Sequence, residues 1–136
     1  MRLTDRRVLN WLAAPVVAVI ALAGFGSMQI EKVHQKAATA RILTGGDPAR
    51  APWLITRYGC GGCHTIADIP GADGQVGPPL QRLLERVYIG GTAQNTADNL
   101  VLWIVEPQKF SAHTAMPPTG ISDAEARDIA AYLYAH

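Results

Sequence analysis

Residues 60–64 of the chain read Cys60-Gly61-Gly62-Cys63-His64. They contain both of its cysteines, and a disulfide between the two would close so short a loop that it would stabilise little. The pair therefore asks for a chemical explanation, and the rest of the chain narrows the choice. At 136 residues there is room for one small domain beside any targeting segment, which excludes a multidomain enzyme. An apolar content of 49% with 17% charged residues argues against disorder. A formal net charge of +1 supplies no field for neutralising phosphates, so no nucleic-acid partner is expected.

Three chemistries use a Cys-x-x-Cys pair. A structural zinc site needs four ligands, and Cys60, Cys63 and His64 are three, with adjacent Cys and His side chains awkward for joint chelation. A thiol-disulfide oxidoreductase carries the pair where a helix opens after a strand, so that the helix dipole lowers the thiol pKa. No segment here shows the sustained alternation of a strand. The adjoining histidine completes Cys-x-x-Cys-His, the pattern of covalent c-type haem attachment. Two thiols three positions apart on a helical turn can each add to one vinyl group of a single porphyrin. The next residue, His64, then presents its imidazole to the iron from the same side.

An iron that transfers electrons needs a second axial ligand, because a six-coordinate site changes little on redox and excludes substrates. The methionines are Met1, Met28 and Met116, and the first two lie at the terminus and in an apolar run. Met116 sits in Thr114-Ala115-Met116-Pro117-Pro118, 52 residues beyond His64, where prolines can hold a side chain towards the opposite ring face. His113 and His136 are its rivals. In Gly77-Pro78-Pro79-Leu80 a proline carbonyl is placed to accept the remaining ring N–H of His64, orienting the imidazole and raising its basicity.

The amino terminus supplies the setting. Residues 8–30 carry no charge, and at about 1.5 Å per residue they span roughly 34 Å, enough for a hydrocarbon core of about 30 Å. Arg2, Arg6 and Arg7 precede the run, which predicts a cytoplasmic amino terminus and export of everything beyond it. A cleaved signal peptide competes with a retained anchor, since Ala21-Leu22-Ala23 has the small-x-small form of a processing site. The length of the run favours the anchor. Composition divides the chain into a signal anchor or transmembrane helix at 1–30, a polar linker at 31–46 and a haem domain at 47–136. Beyond residue 30, nine basic residues face ten acidic ones, so strong steering of a charged partner is not expected.

The exported domain reads as all-α with long loops. Pro48 after Asp47 opens a helix with Trp53, Leu54, Ile55 and Tyr58 that runs into the cysteine motif. Residues 67–79 have the Gly and Pro content of a loop, and residues 81–88 form a helical turn. Thr96 caps a helix with Leu100, Trp103 and Ile104, stopped at Glu106 by Pro107. Ser122 and Glu125 form a capping box ahead of a terminal helix carrying Ile129, Tyr132 and Leu133. This aliphatic core is thin for some 90 residues, so a large apolar group is expected to complete it.

On these motifs the sequence resembles the class I cytochromes c over residues 47–134. The resemblance implies the class I cytochrome c fold behind an N-terminal transmembrane helix, with one covalent haem c. It implies thioether attachment at Cys60 and Cys63, with His64 and Met116 as iron ligands, and Gly77-Pro78-Pro79-Leu80 as the histidine-orienting loop, so that Pro78 and Leu80 line the cofactor. By the same likeness Arg86 falls where a propionate-binding arginine is found, and Trp103 is the aromatic residue lying against the haem near the methionine. Thr114 is a propionate or methionine-loop hydroxyl, and Tyr132 is the terminal-helix aromatic that crosses the first helix. The first helix lacks the family's glycine-aromatic pair at that crossing and offers Trp53, Ile55 or Tyr58.

Tyr58-Gly59-Cys60, Arg86-Val87-Tyr88-Ile89-Gly90, Trp103-Ile104-Val105-Glu106-Pro107 and residues 126–133 are similar to bacterial membrane-anchored monohaem cytochromes and to cytochrome c domains of terminal oxidases. The implied function is single-electron transfer between a respiratory donor and acceptor protein, an oxidase or a quinol-oxidising complex among them. The haem domain would lie on the periplasmic face of the inner membrane. No lysine ring for docking is present, so partner recognition is expected to be apolar or imposed by the anchor. The enzymatic alternatives are a haem peroxidase with a labile sixth position and a membrane-tethered thiol-disulfide oxidoreductase. A sensing or structural subunit whose haem only stabilises the fold is the third.

Overall fold

The computed structural model describes residues 4–136, with side chains from residue 15 onwards. Arg2 and the side chains of Arg6 and Arg7, on which the orientation reading rests, lie outside the described residues. The chain divides into two units, Met1–His34 and Gln35–His136. Helix α1 (Thr4–Thr44) supplies the first unit. Its stretch Pro15–Thr44 is long and apolar enough to cross a membrane. Val16, Val17, Ile20, Leu22, Phe25, Met28 and Ile30 are all exposed. The possible processing site, Ala21-Leu22-Ala23, is helical.

The polar stretch read as a linker is helical through Thr44, and its residues from Gln35 onwards belong to the second unit. The reason is packing: Ala40 and Thr44 are buried, and the chain leaves the helix through Gly45, at φ +71°, into Gly46. Three further helices complete the unit: α2 (Ala51–Arg57), α3 (Ala97–Val105) and α4 (Asp123–Ala135). The only strands among the described residues are β1 (Tyr88–Ile89) and β2 (Ala93–Gln94), a two-residue antiparallel hairpin pairing Tyr88 with Gln94 and Ile89 with Ala93. The domain is all-α, as its sequence predicts. Pro48 does not open α2; residues 48–50 form a turn, with Asp47 accepting at its carbonyl from the Arg50 N–H, and the helix starts at Ala51.

The caps follow the sequence. Thr96 accepts from the Asn99 N–H at 3.2 Å, and α3 ends at Glu106, before the fully buried Pro107 opens a 3-10 turn (Pro107–Lys109). At α4, Ser122 and Glu125 bond reciprocally in a capping box, an arrangement worth about 1 kcal/mol at such a helix start.

Helix α4 is the centre of the packing, lying against both α2 and α3. Ala126, Ala130 and Ala131 are fully buried, and their small side chains permit close approach. At the crossing with α2, Ile55 is fully buried, Trp53 is exposed, and the half-buried Tyr58 donates to Glu125 at 2.9 Å. Hydrogen bonds from Ser122 and Tyr58 hold the Glu125 carboxyl below its ordinary range. The stabilisation from that lowered pKa is present above the ordinary carboxylate value and is lost as the pH falls through the lower folded one.

The end of α1 is fastened to α4 by polar groups. Arg127 donates to the Thr44 carbonyl at 3.0 Å, and the Asp47 N–H donates to the buried Asp128 carboxylate at 2.6 Å. Gly46 lies between these contacts, and a Cβ there would overlap the backbone of Arg127 and Asp128. The glycine that reads as linker composition is thus a packing residue. Gly46→Ala is expected to lower stability by about 1–3 kcal/mol in urea unfolding, the usual cost of overpacking a fixed contact. A neutral result would show that the two segments part readily.

Candidate functional site

The motif begins where α2 stops. Gly59 takes a left-handed φ of +69°, which turns the chain into a 3-10 turn over Cys60–Gly62. The N–H groups of Cys63 and His64 both donate to the Cys60 carbonyl, at 3.2 and 3.0 Å. Cys60 is half-buried against the core, whereas Cys63 is exposed.

The following loop folds back over this turn. Gly74 N–H donates to the Gly61 carbonyl at 3.0 Å, Gly77 N–H to the Cys63 carbonyl at 2.8 Å, and Leu80 N–H to the Thr65 carbonyl at 2.9 Å. Thr65 also pairs with Asp73 in an isolated antiparallel bridge. Such contact requires small residues: a Cβ on Gly74 would strike the backbone of Gly62 and Cys63, and one on Gly77 would strike the His64 ring.

With the loop in place, His64 Nδ1 lies 2.8 Å from the Pro78 carbonyl oxygen. A carbonyl can only accept, so Nδ1 donates here, and in the neutral ring Nε2 is the nitrogen that keeps its lone pair. This is the contact expected from Gly77-Pro78-Pro79-Leu80. Leu80 packs partly buried against the core.

The other expected site residues lie on several separate segments. On the methionine loop, Met116 is half-buried, its N–H donates to Thr114 Oγ1 at 3.3 Å, and its carbonyl accepts from Gln108 at 3.0 Å. Thr114 therefore fixes the loop that carries Met116. On the same loop Thr119 Oγ1 is buried with no hydrogen-bond partner among the described residues. Trp103 is half-buried beside Phe110, with ring centroids 5.7 Å apart, and its indole lies against Gly90, where a Cβ would overlap it. Arg86 donates to the backbone carbonyls of Pro79 and, at 3.1 Å, Gln81. Tyr132 is buried and donates to the Ala67 carbonyl at 2.7 Å, next to the motif. His136 stacks on Tyr132 with centroids 4.0 Å apart, and His113 is exposed on its loop.

These residues fit a haem. The imidazole is cradled on Gly77, its Nδ1 is engaged, and the thiols stand on the turn just before it. Neighbouring Val76 is 78% exposed, an apolar side chain suited to a large apolar group. Burial pushes the Cys60 thiol up, the direction opposite to that of a nucleophilic redox cysteine.

The cytochrome c family model matches residues 54–135. The chain belongs to the cytochrome c family. No curated protein and no solved structure matched it. The cytochrome c domain makes this an electron-transfer haem protein with covalently bound haem c, and Cys60 and Cys63 are the cysteines it offers for attachment.

Sequence reading missed Asn95, whose side chain bonds the carbonyls of Leu83 and Arg86, and Tyr134, which donates to Asn95. A polar residue just before a helix cap carries no pattern of its own, and a tyrosine in an apolar stripe reads as core.

Gly77→Ala is expected to push the imidazole off the Pro78 carbonyl and abolish the protected Nδ1–H signal of His64 in proton NMR. Gly62→Ala, with open space at its Cβ, should retain it. Equal spectra for the two variants would show that the Gly77 cradle does not hold the ring.

Proposed function

We propose that this cytochrome c domain belongs to a membrane-anchored carrier of a single haem c. In this reading His64 and Met116 would hold the iron, and electrons would pass one at a time between respiratory donor and acceptor proteins. A terminal oxidase or a quinol-oxidising complex is the setting in which it would serve, with the domain on the periplasmic side. The observation that carries the reading is the His64 Nδ1 to Pro78 carbonyl contact at 2.8 Å. It fixes the tautomer in which Nε2 is the donor atom, and it does so in the residue that follows Cys63.

When bound, haem c supplies the one-electron ferrous–ferric couple. The chain's own residues do the rest. Cys60 and Cys63 would hold the ring by thioether bonds, and the Pro78 carbonyl would make the imidazole a stronger donor. Met116 offers a soft thioether, which favours the ferrous state and raises the potential over that of a bis-histidine site. Thr114 and Gln108 hold the Met116 backbone in place. With His64 and Met116 both offered to the iron, the site would favour electron transfer over peroxidase chemistry. Helix α1 supports the anchored reading by its length and apolar composition. An anchor keeps donor, carrier and acceptor at one membrane and raises their effective concentration.

Met116→Ala is expected to leave haem covalently attached while removing the methionine–iron charge-transfer absorbance and lowering the potential. An unchanged spectrum would remove Met116 from the ligand set. Replacing residues 1–30 by a cleavable export signal should move the protein from the membrane to the soluble fraction with its spectrum intact. A full-length protein recovered in the soluble fraction would overturn the anchor.

A further inference from the structure

The loop that orients His64 is itself held in place by groups outside it. Pro78 bonds His64, and the adjacent Pro79 carbonyl accepts from the Arg86 guanidinium, which also bonds the Gln81 carbonyl at 3.1 Å. Arg86 is in turn held at its backbone. Asn95 Nδ2 donates to the Arg86 carbonyl at 2.8 Å and to the Leu83 carbonyl at 2.7 Å, and the Asn95 N–H donates to the Val87 carbonyl at 2.9 Å. At the far end Tyr134, on α4 and only 5% exposed, donates its hydroxyl to Asn95 Oδ1 at 2.8 Å.

Donor chemistry makes this chain directional. The Leu83 and Arg86 carbonyls can only accept, so they require the NH2 end of the Asn95 amide, and Oδ1 must then face Tyr134. The tyrosine hydroxyl is the group that satisfies that part-buried oxygen. Burial pushes its pKa up to about 12, so it remains a donor at physiological pH. Removing it leaves Oδ1 without this partner in a part-buried place, where the amide gains by tilting towards another donor and loses its grip on residues 83–87.

We propose that Asn95 and Tyr134 are positioning residues for the haem-ligating His64. Through Arg86 and Pro79 they keep the Pro78 carbonyl on Nδ1 and so tune how strongly the imidazole donates to iron. The claim rests on the haem-ligation reading above. Weakening the Pro78 contact makes His64 a poorer donor, stabilises the ferric state less and moves the potential upwards.

The test uses the full haem-loaded chain and Tyr134→Phe, which removes one oxygen atom. The expected result is intact covalent haem, a positive shift in midpoint potential, and faster exchange of the His64 Nδ1–H proton. Asn95→Ala should shift the potential further, and Tyr134→Phe added to it should have no additional effect. Tyr58→Phe removes a comparable hydrogen bond, to Glu125, outside this chain and should leave both readouts unchanged. If Tyr134→Phe leaves potential and exchange rate as they were, or Tyr58→Phe moves them equally, the proposal is overturned. Should Asn95→Ala fail to fold, Tyr134→Phe alone decides. A wild-type chain without thioether-bound haem would sink the ligation reading instead, and His64 Nδ1–H exchange in the same variants would still decide the positioning claim.

Discussion

The hydrogen bond between His64 and the Pro78 carbonyl can form only if the chain reverses within fourteen residues and lays its own backbone against the motif. Most of the local sequence is explained by that requirement. Gly59 supplies the left-handed turn that separates α2 from the cysteines, while Gly74 and Gly77 leave room for main chain and imidazole to meet. Two prolines stiffen the segment that presents the acceptor. An imidazole whose direction is fixed in advance has little left to reorganise, which suits the ligand role proposed for His64 in an electron-transfer site.

Helix α4 gives this local arrangement a rigid support. It is the element on which α2 and α3 both pack, and its tyrosines reach the loops on either side: Tyr132 to Ala67 just after the motif, and Tyr134 to Asn95 behind the histidine-orienting loop. The same helix receives the end of α1 through Asp128, Arg127 and the close approach at Gly46. One buried alanine-rich helix therefore supports residues 44–47, α2 and the loops on either side of it.

Much of this was legible because the signals are local. Cys-x-x-Cys-His, the proline loop after it, the Thr96 cap, the Pro107 stop and the Ser122–Glu125 capping box each declare themselves within a few residues, and each falls where the sequence puts it. What was not legible depends on contacts between distant segments. Gly46 has the composition of a linker until α4 is seen against it. The polar stretch after residue 30 does not announce that Ala40 and Thr44 are buried, so its helical course is lost. Arg86, which the resemblance sets near a propionate, also lays its guanidinium on two backbone carbonyls, a partner type that leaves no trace in sequence. Asn95 is the same case with a neutral side chain.

The central claim is that Cys60, Cys63 and His64 hold one covalent haem. It is tested most directly by the intact mass of the purified chain, read together with the pyridine haemochrome of the same sample. The account predicts one haem's added mass on the polypeptide, resistant to acid–acetone extraction, with a c-type haemochrome that is lost when both Cys60 and Cys63 are replaced by alanine. An unmodified polypeptide mass from cells competent in haem attachment, or a haem that extracts freely, would contradict it.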